Sequence, residues 1–390
     1  MDPTTTTHDA VQKAAQLLPV LRENTAWEEE NSRLHEDTVS ALIASGLPRM
    51  KVPARYGGLE TPMRDQVDVL AELARGSGAA SWTVGVWTIS SWTVGLFPDA
   101  VQEKVFASGD TLVSGILSPS AMATPVDGGI SVSGTWRFNT GAWHSSWNAN
   151  AVLLHTPEGP RPVLALLAMS DLDITDDWDT SGLRGSGSVT TSADAVFVPD
   201  GWYIPLGALM SGQGGLGSNA DRPTWHSPIM PTACATVAAT AAGLAQAAGD
   251  AFFDRLPGRS ITYTDYADQR EAPLTHRQVA QAVVRTDEAL FHVHRIADLV
   301  DAKNGSAEPW TPEERAKARL LTGAATQRAK EAVEVLASAS GASSIHRTVP
   351  IQRILRDVQA LSVHAAMNTD TALELYGRLL CGLPLNSTYV

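Results

Sequence analysis

Cysteine is nearly absent: Cys234 and Cys381 are the only two in 390 residues, far apart and in no CxxC spacing. That excludes a disulfide framework and fits a reducing cytoplasm. Charge is scarce as well. Only 18% of residues are charged, against about 25% in an average soluble protein, so much surface must be hidden in a large core or between subunits, and an oligomer is expected. The net charge is −13 with no dense basic run. A nucleic-acid surface is therefore excluded, although a local basic pocket for one cofactor phosphate is compatible. The opening MDPTTTTHDA has neither the basic stretch nor the apolar core of a signal peptide. Two uncharged runs, 76–98 and 228–249, exceed the ~18 residues that suggest a membrane span. They are filled with Ser, Thr, Gly, Trp and Ala rather than Leu and Ile, and are expected as buried helices with no membrane crossing.

Three textures follow one another. Residues 1–110 are helical in pattern, with apolar spacing over 9–30, 35–45 and 64–75, followed by the uncharged run carrying Trp82, Trp87 and Trp92. From about 111 to 205, short alternating runs such as GISVSGTWRFN and SVTTSADAVFV are separated by Gly, Pro, Asp and Asn, the signature of antiparallel strands. A glycine-rich stretch, 206–222, reads as a mobile flap. Beyond it come helical patterns over 233–256, 274–303, 313–338 and 349–380. The expected fold is α+β: an N-terminal helical domain (1–110), a central antiparallel β domain with the flap (111–222) and a C-terminal four-helix bundle (223–390).

Several motifs are empty on inspection. Gly212, Gly214 and Gly217 spell GxGxxG, but a proline stands where the dinucleotide-binding helix should run. His292 and His294 are spaced i,i+2, which on a helix do not face each other, and no HExxH, GxSxG or phosphate-loop motif is present. No metal site is expected. Three stretches carry more: GTWRFNTGAWHSSW (134–147), with a His and two Trp around a turn; WDTSGLRGSGSVTTSADAVFVP (178–199), with a G-x-x-G-x-G turn around Arg184; and PIQRILRDVQALSVHAAMN (350–368). On a continuous helix Arg353, Asp357 and His364 share one face. Each has a bland reading: a hairpin with a tryptophan plug, a structural turn, and a bundle brace with a packed histidine.

Together these stretches resemble the acyl-CoA dehydrogenase superfamily over nearly the whole chain. HEDTVSALIASGLPRMKVPARYGGLE is similar to its N-terminal segment, the 178–199 stretch to its β-domain strand, and PIQRILRDV to its final bundle helix, and YGRLLCGLP near the C-terminus fits as well. Two departures set the chain apart from true dehydrogenases. ILSPSAMA (116–123) replaces the A-x-T-E-P segment, and His364 stands where an E-G-T segment is usual. Both match the monooxygenase branch, which includes 4-hydroxyphenylacetate and related phenol hydroxylases, dibenzothiophene monooxygenase and amino-sugar nitrososynthases. That branch carries a W-x-F-x-[ST]-G stretch like 136–141. Several members also place a histidine in the helix before the L-F-P segment, where this chain has Ser90, Ser91 and Trp92.

The resemblance implies an oxygenase that uses FMN or FAD reduced by a separate NAD(P)H-flavin reductase, with O2 as co-substrate. Its target would be hydroxylated or N-oxidised: an aromatic or secondary-metabolite molecule. It implies a homotetramer. Thr140 would sit at flavin N5, and Ser118, Phe138, His144 and Trp147 would line the ring. Arg259 would meet a flavin phosphate, with Gly341 and Ser343 beside the cofactor tail. His364 would serve as general acid or base, since an imidazole titrates near neutrality, oriented by Asp357 or a backbone carbonyl. Two rivals are a dehydrogenase holding oxidised FAD beside a carboxylate base, and a non-catalytic scaffold of the same fold.

Overall fold

A computed structural model of the chain describes residues 3–213, 215–306 and 308–390, the side chains of 3–8 excepted. Five helices come first: α1 (Pro3–Asn31), α2 (Glu36–Ser45), α3 (Met63–Gly76), α4 (Gly78–Val94) and α5 (Asp99–Val105). Helix α3 is amphipathic, whereas α4 is the uncharged tryptophan run and is buried on nearly every face. A helix apolar all round belongs inside, and α4 is packed against α3, a long bundle helix and the sheet.

Seven strands follow: β1 (Val113–Val126), β2 (Gly129–Asn139), β3 (Trp147–Leu154), β4 (Arg161–Ala168), β5 (Asp173–Thr175), β6 (Val189–Pro199) and β7 (Tyr203–Pro205). They form one sheet in the order β5-β6-β2-β1-β3-β4-β7. The pairing corrects a purely antiparallel expectation, because β1 and β3 run parallel while the other pairs are antiparallel. The cause is the short crossover 140–146. Strand β2 ends beside the start of β1, the chain crosses that end, and β3 sets off in the direction of β1, with Trp147 opposite Val113. This crossover carries Thr140.

The glycine-rich stretch, expected as a mobile flap, is tied down. It opens with α6 (Leu206–Ser211), and Asp99 accepts hydrogen bonds from the backbone and hydroxyl of Ser218. Arg222 pairs with Glu60, and Trp225 is buried against the carbonyl of Trp92. Gly214, the middle glycine of the GxGxxG string, lies outside the described residues.

The last section holds α7 (Ile229–Arg255), α8 (Pro273–Asn304), α9 (Pro312–Ala339), α10 (Pro350–Ser362) and α11 (Thr369–Leu380). Helix α7 is long and apolar enough to span a membrane, yet 83% of that window is buried inside the protein, so the run is core. His294 turns to Asp68 at 2.7 Å. The helix expected over 349–380 breaks into α10 and α11. Asn368 caps α11 by accepting from the Thr371 amide at 3.0 Å, and the break puts His364 in a turn rather than on a helical face.

Candidate functional site

Thr140 leaves β2 at the crossover and is 4% exposed. The next residue must let the chain come close to α4. Gly141 has φ +71°, and a Cβ there would lie 2.5 Å from the Trp87 indole nitrogen, so only glycine fits. Drawn in this way, Thr140 Oγ1 accepts a hydrogen bond from Trp82 Nε1 at 3.1 Å. It shares a second with the Ser188 hydroxyl at 2.7 Å, and Ser188 shares another with Ser186 at 2.8 Å. Ser186 and Ser188 come just before the start of β6 and are 2% and 4% exposed. Helix α4, the β2 exit and the β6 entrance thus contribute to a dry line of hydroxyls.

The same indole reaches the other candidate. The rings of Trp82 and His364 meet edge-on, centroids 5.1 Å apart at 74°, so Trp82 bridges Thr140 and His364. His364 is an exposed residue, yet the protein packed around its ring, then the Arg319 charge, pushes its pKa down to about 4. The Ala366 amide donates to Nδ1 at 3.2 Å, so the neutral ring carries its proton on Nε2 and offers a donor. Arg319, itself 7% exposed, holds the turn: its two terminal nitrogens donate to the carbonyls of Ala365 at 2.9 Å and Tyr389 at 3.0 Å. The Tyr389 hydroxyl donates in turn to the carbonyl of Leu117 on β1 at 3.2 Å.

Asp357 does not orient His364. Its Oδ1 accepts from the Leu183 amide at 2.6 Å, pinning the turn 182–187, where Leu183 has φ +53°. That turn presses so closely on α10 that a Cβ on Gly182 would lie 2.2 Å from the Arg356 carbonyl. Burial pushes Asp357 up to about 6 and, across the turn, Glu28 up to about 7. Arg353 faces both and donates to Thr25 at 2.7 Å, while Arg356 pairs with Glu29 at 2.8 Å. A charged recess of about 390 Å³ opens here between α1, α3, α7 and α10. Neither Thr140 nor His364 lines it.

The remaining candidates fall into two groups. Phe138 is 58% exposed, carries an unusual φ of +66°, and meets Trp178 edge-on at 6.0 Å. Ser118 is exposed on the irregular part of β1, between Ile116 and Ala121. Trp147 stacks on Trp202 at 5.2 Å. His144 is held against Trp87 and turned to Glu36, 3.8 Å away, and burial lowers its pKa. Arg259, Gly341 and Ser343 gather just past the end of α9. Arg259 donates to the Ser340 carbonyl, a Cβ on Gly341 would lie 3.3 Å from its guanidinium, and Arg255 donates to Ser343 at 3.2 Å.

These features fit a flavin. A Phe held outward at strained backbone offers a face for a flat ring. Two neighbouring guanidiniums, with Arg255 Nη1 buried and unpartnered and Arg259 lowered by burial and by Arg255, await an anion. Sequence reasoning missed Trp82, Ser188, Arg319 and Tyr389 as parts of the site.

Comparison with known proteins agrees. Residues 7–107 match the acyl-CoA dehydrogenase N-terminal domain family and 235–369 the acyl-CoA dehydrogenase C-terminal domain family. The oxygenase subunit HsaA of a flavin-dependent monooxygenase from Rhodococcus jostii is 30% identical, over 97% of this chain and all of that one. A pigment production hydroxylase of a Rhodococcus species is 28% identical over 99% of both chains. Among solved structures, XiaF from a Streptomyces species, in complex with FADH2 and glycerol, superposes with a TM-score of 0.93 at 26% identity, covering 99% of this chain and 98% of that one.

Proposed function

Because the chain belongs to the acyl-CoA-dehydrogenase-fold flavin-dependent monooxygenases, as the oxygenase component of a two-component system, we propose that it hydroxylates a small aromatic molecule held beside Trp82 and His364. Reduced FAD or FMN, supplied by a separate reductase component, brings the electrons that activate O2. The curated relatives named for resorcinol, p-hydroxyphenylacetate and indole-3-acetate align over 90% or more of this chain, which supports a phenol or indole as substrate. A homotetramer in the cytoplasm goes with this reading.

The observation that carries it is the Trp82 bridge, which joins a buried hydroxyl to an accessible neutral imidazole. In this reading Thr140 would be the group at flavin N5, Phe138 and Ser118 would lie along the ring, and Arg259, Gly341 and Ser343 would hold the phosphate end of the cofactor. The residues do three things. Trp82 and the buried hydroxyls exclude water from N5. Thr140 holds the hydrogen there. His364 Nε2–H donates to the oxygen of the aromatic substrate and fixes which ring carbon is presented. His364 is thus a positioning donor rather than a base, because a base would need Nδ1–H where the Ala366 amide already points. Asp357 acts on the site only through the 182–187 turn.

The test is product formation from resorcinol, p-hydroxyphenylacetate and indole with photoreduced FMN or FAD in oxygenated buffer. Wild type should convert at least one of them, while Thr140→Val diverts reduced flavin to hydrogen peroxide. His364→Asn, which keeps a donor, should retain more product than His364→Ala. No product from any of the three would sink the aromatic assignment.

A further inference from the structure

Thr140 does not stand alone, and its partners limit what it can do. A hydroxyl has one hydrogen and two lone pairs. The Trp82 indole can only donate, so at 3.1 Å it occupies one lone pair of Thr140 permanently. What remains is one hydrogen and one lone pair, to be divided between Ser188 and whatever lies on the open side. If Thr140 donates to Ser188, and Ser188 to Ser186, the open side of Thr140 is an acceptor. If Ser186 donates to Ser188, and Ser188 to Thr140, both lone pairs are filled and the open side is a donor. With separations of 2.7 and 2.8 Å, both arrangements keep every bond. They differ only by rotation of three hydroxyl hydrogens, and no proton is gained or lost.

Flavin N5 has the same two faces: oxidised flavin presents a bare acceptor nitrogen, two-electron-reduced flavin an N–H donor. We infer that Trp82, Ser188 and Ser186 form a relay that lets Thr140 meet either redox state with the matching polarity. The inference rests on the reading that Thr140 faces N5. Ser188 and Ser186 are positioning residues, since they act through Thr140. The chain is at most 7% exposed at any of its four members, so water does not stand in for a missing partner, and the consequence is asymmetric. Without Ser188, reduced flavin forces the Thr140 hydrogen toward an apolar void, whereas oxidised flavin leaves only a lone pair unsatisfied. Buried unpaired donors are rarer and costlier than unpaired acceptors.

The experiment compares affinities for oxidised FMN and for photoreduced FMN under anaerobic conditions, in wild type, Ser188→Ala, Ser188→Thr and Ser186→Ala, and repeats them with FAD. Ser188→Ala should weaken reduced flavin about tenfold more than oxidised flavin, which lowers the bound two-electron potential by about 30 mV. Ser188→Thr restores the wild-type ratio, and Ser186→Ala shifts it in the same direction by less. Ser186→Ala and Ser188→Thr carry the test should Ser188→Ala not fold. Equal weakening of both redox states, or an unchanged ratio in Ser186→Ala, overturns the relay and leaves Ser188 as packing. The reading beneath it fails differently: Thr140→Val would then change neither affinity.

Discussion

Two buried polar clusters flank the turn 182–188, and they are built from opposite materials. On the sheet side, Trp82, Thr140, Ser186 and Ser188 are neutral and satisfy one another. On the α1 and α10 side, Glu28, Asp357 and Arg353 lie beside the Glu29–Arg356 pair. The hydroxyl cluster has no charge to lose at any pH near neutral, so its state can follow the cofactor alone. The carboxyl cluster carries a penalty for each charge, which ties the packing of the turn to pH. One turn serves both, but redox sensitivity and pH sensitivity are kept on separate faces of it.

Breaking the charged side should do the most harm. Asp357→Ala strands the Leu183 amide and leaves Arg353 without one of its buried partners, and should cost about 3 kcal/mol in urea unfolding. Ser186→Ala on the neutral side should cost only about 1 kcal/mol. Similar losses at both positions would erase the distinction between the clusters.

The second contrast is in pH. Glu28 is raised to about 7 and Asp357 to about 6, both above their unfolded values. Each therefore contributes stability that is fully present below the unfolded pKa and is lost as pH rises through the folded one. Lys51, pushed down to about 8, and His364, down to about 4, act in the opposite sense but are common to wild type and variant. The difference between wild type and Glu28→Gln isolates one group. Between pH 5.5 and 8.5 wild type should lose about 2 kcal/mol more than Glu28→Gln, read as the change in urea midpoint. A Ser188→Ala profile should run parallel to wild type.

How much of this was legible in the sequence follows the same division. Periodicity marks the long helices and alternation marks the strands, because burial on one face imposes a period. The signature Trp136–Gly141 leads to Thr140, and the Arg-Asp pair leads towards His364. The break after α10 was missed because no Gly or Pro marks it, although Asn368 followed by Thr369 and Asp370 is a helix-start signal. Trp82 escaped notice because a tryptophan in an uncharged helix looks like core, and its polar role lies in one N–H. Ser188 stands 48 residues from Thr140, and no local pattern reveals a partner brought in by β2–β6 pairing. Helical spacing offers Asp357 as a partner for His364. The structure spends it on a backbone amide, a choice fixed by tertiary packing alone.

A third change sharpens the comparison at the turn that carries His364. Arg319 is the charge that acts on His364, and it holds two carbonyls. Arg319→Met should cost about 1.5 kcal/mol and raise the His364 pKa above its present value of about 4, since one cause of the depression is removed. The imidazole proton signals followed against pH by NMR would report it. If the titration does not move, burial alone sets that pKa.

The smallest effect belongs to Tyr389. Its carbonyl is held by Arg319 and its hydroxyl by Leu117, next to Ser118 on the irregular part of β1. Burial raises its pKa, so the phenol stays protonated as a donor. Tyr389→Phe keeps the ring and the carbonyl contact and loses only the tie to β1, so stability should fall by less than about 1 kcal/mol. The neutral side then predicts where the loss is felt. With β1 untied beside Ser118, substrate should bind more weakly while the ratio of reduced to oxidised flavin affinity stays at the wild-type value, because the Ser186–Ser188–Thr140 line is untouched. A rise in KM for whichever aromatic probe is converted, with an unchanged flavin ratio, keeps substrate and redox functions on different residues. A changed ratio would mean that β1 carries strain into Thr140, and the two faces of the site would have to be treated as one.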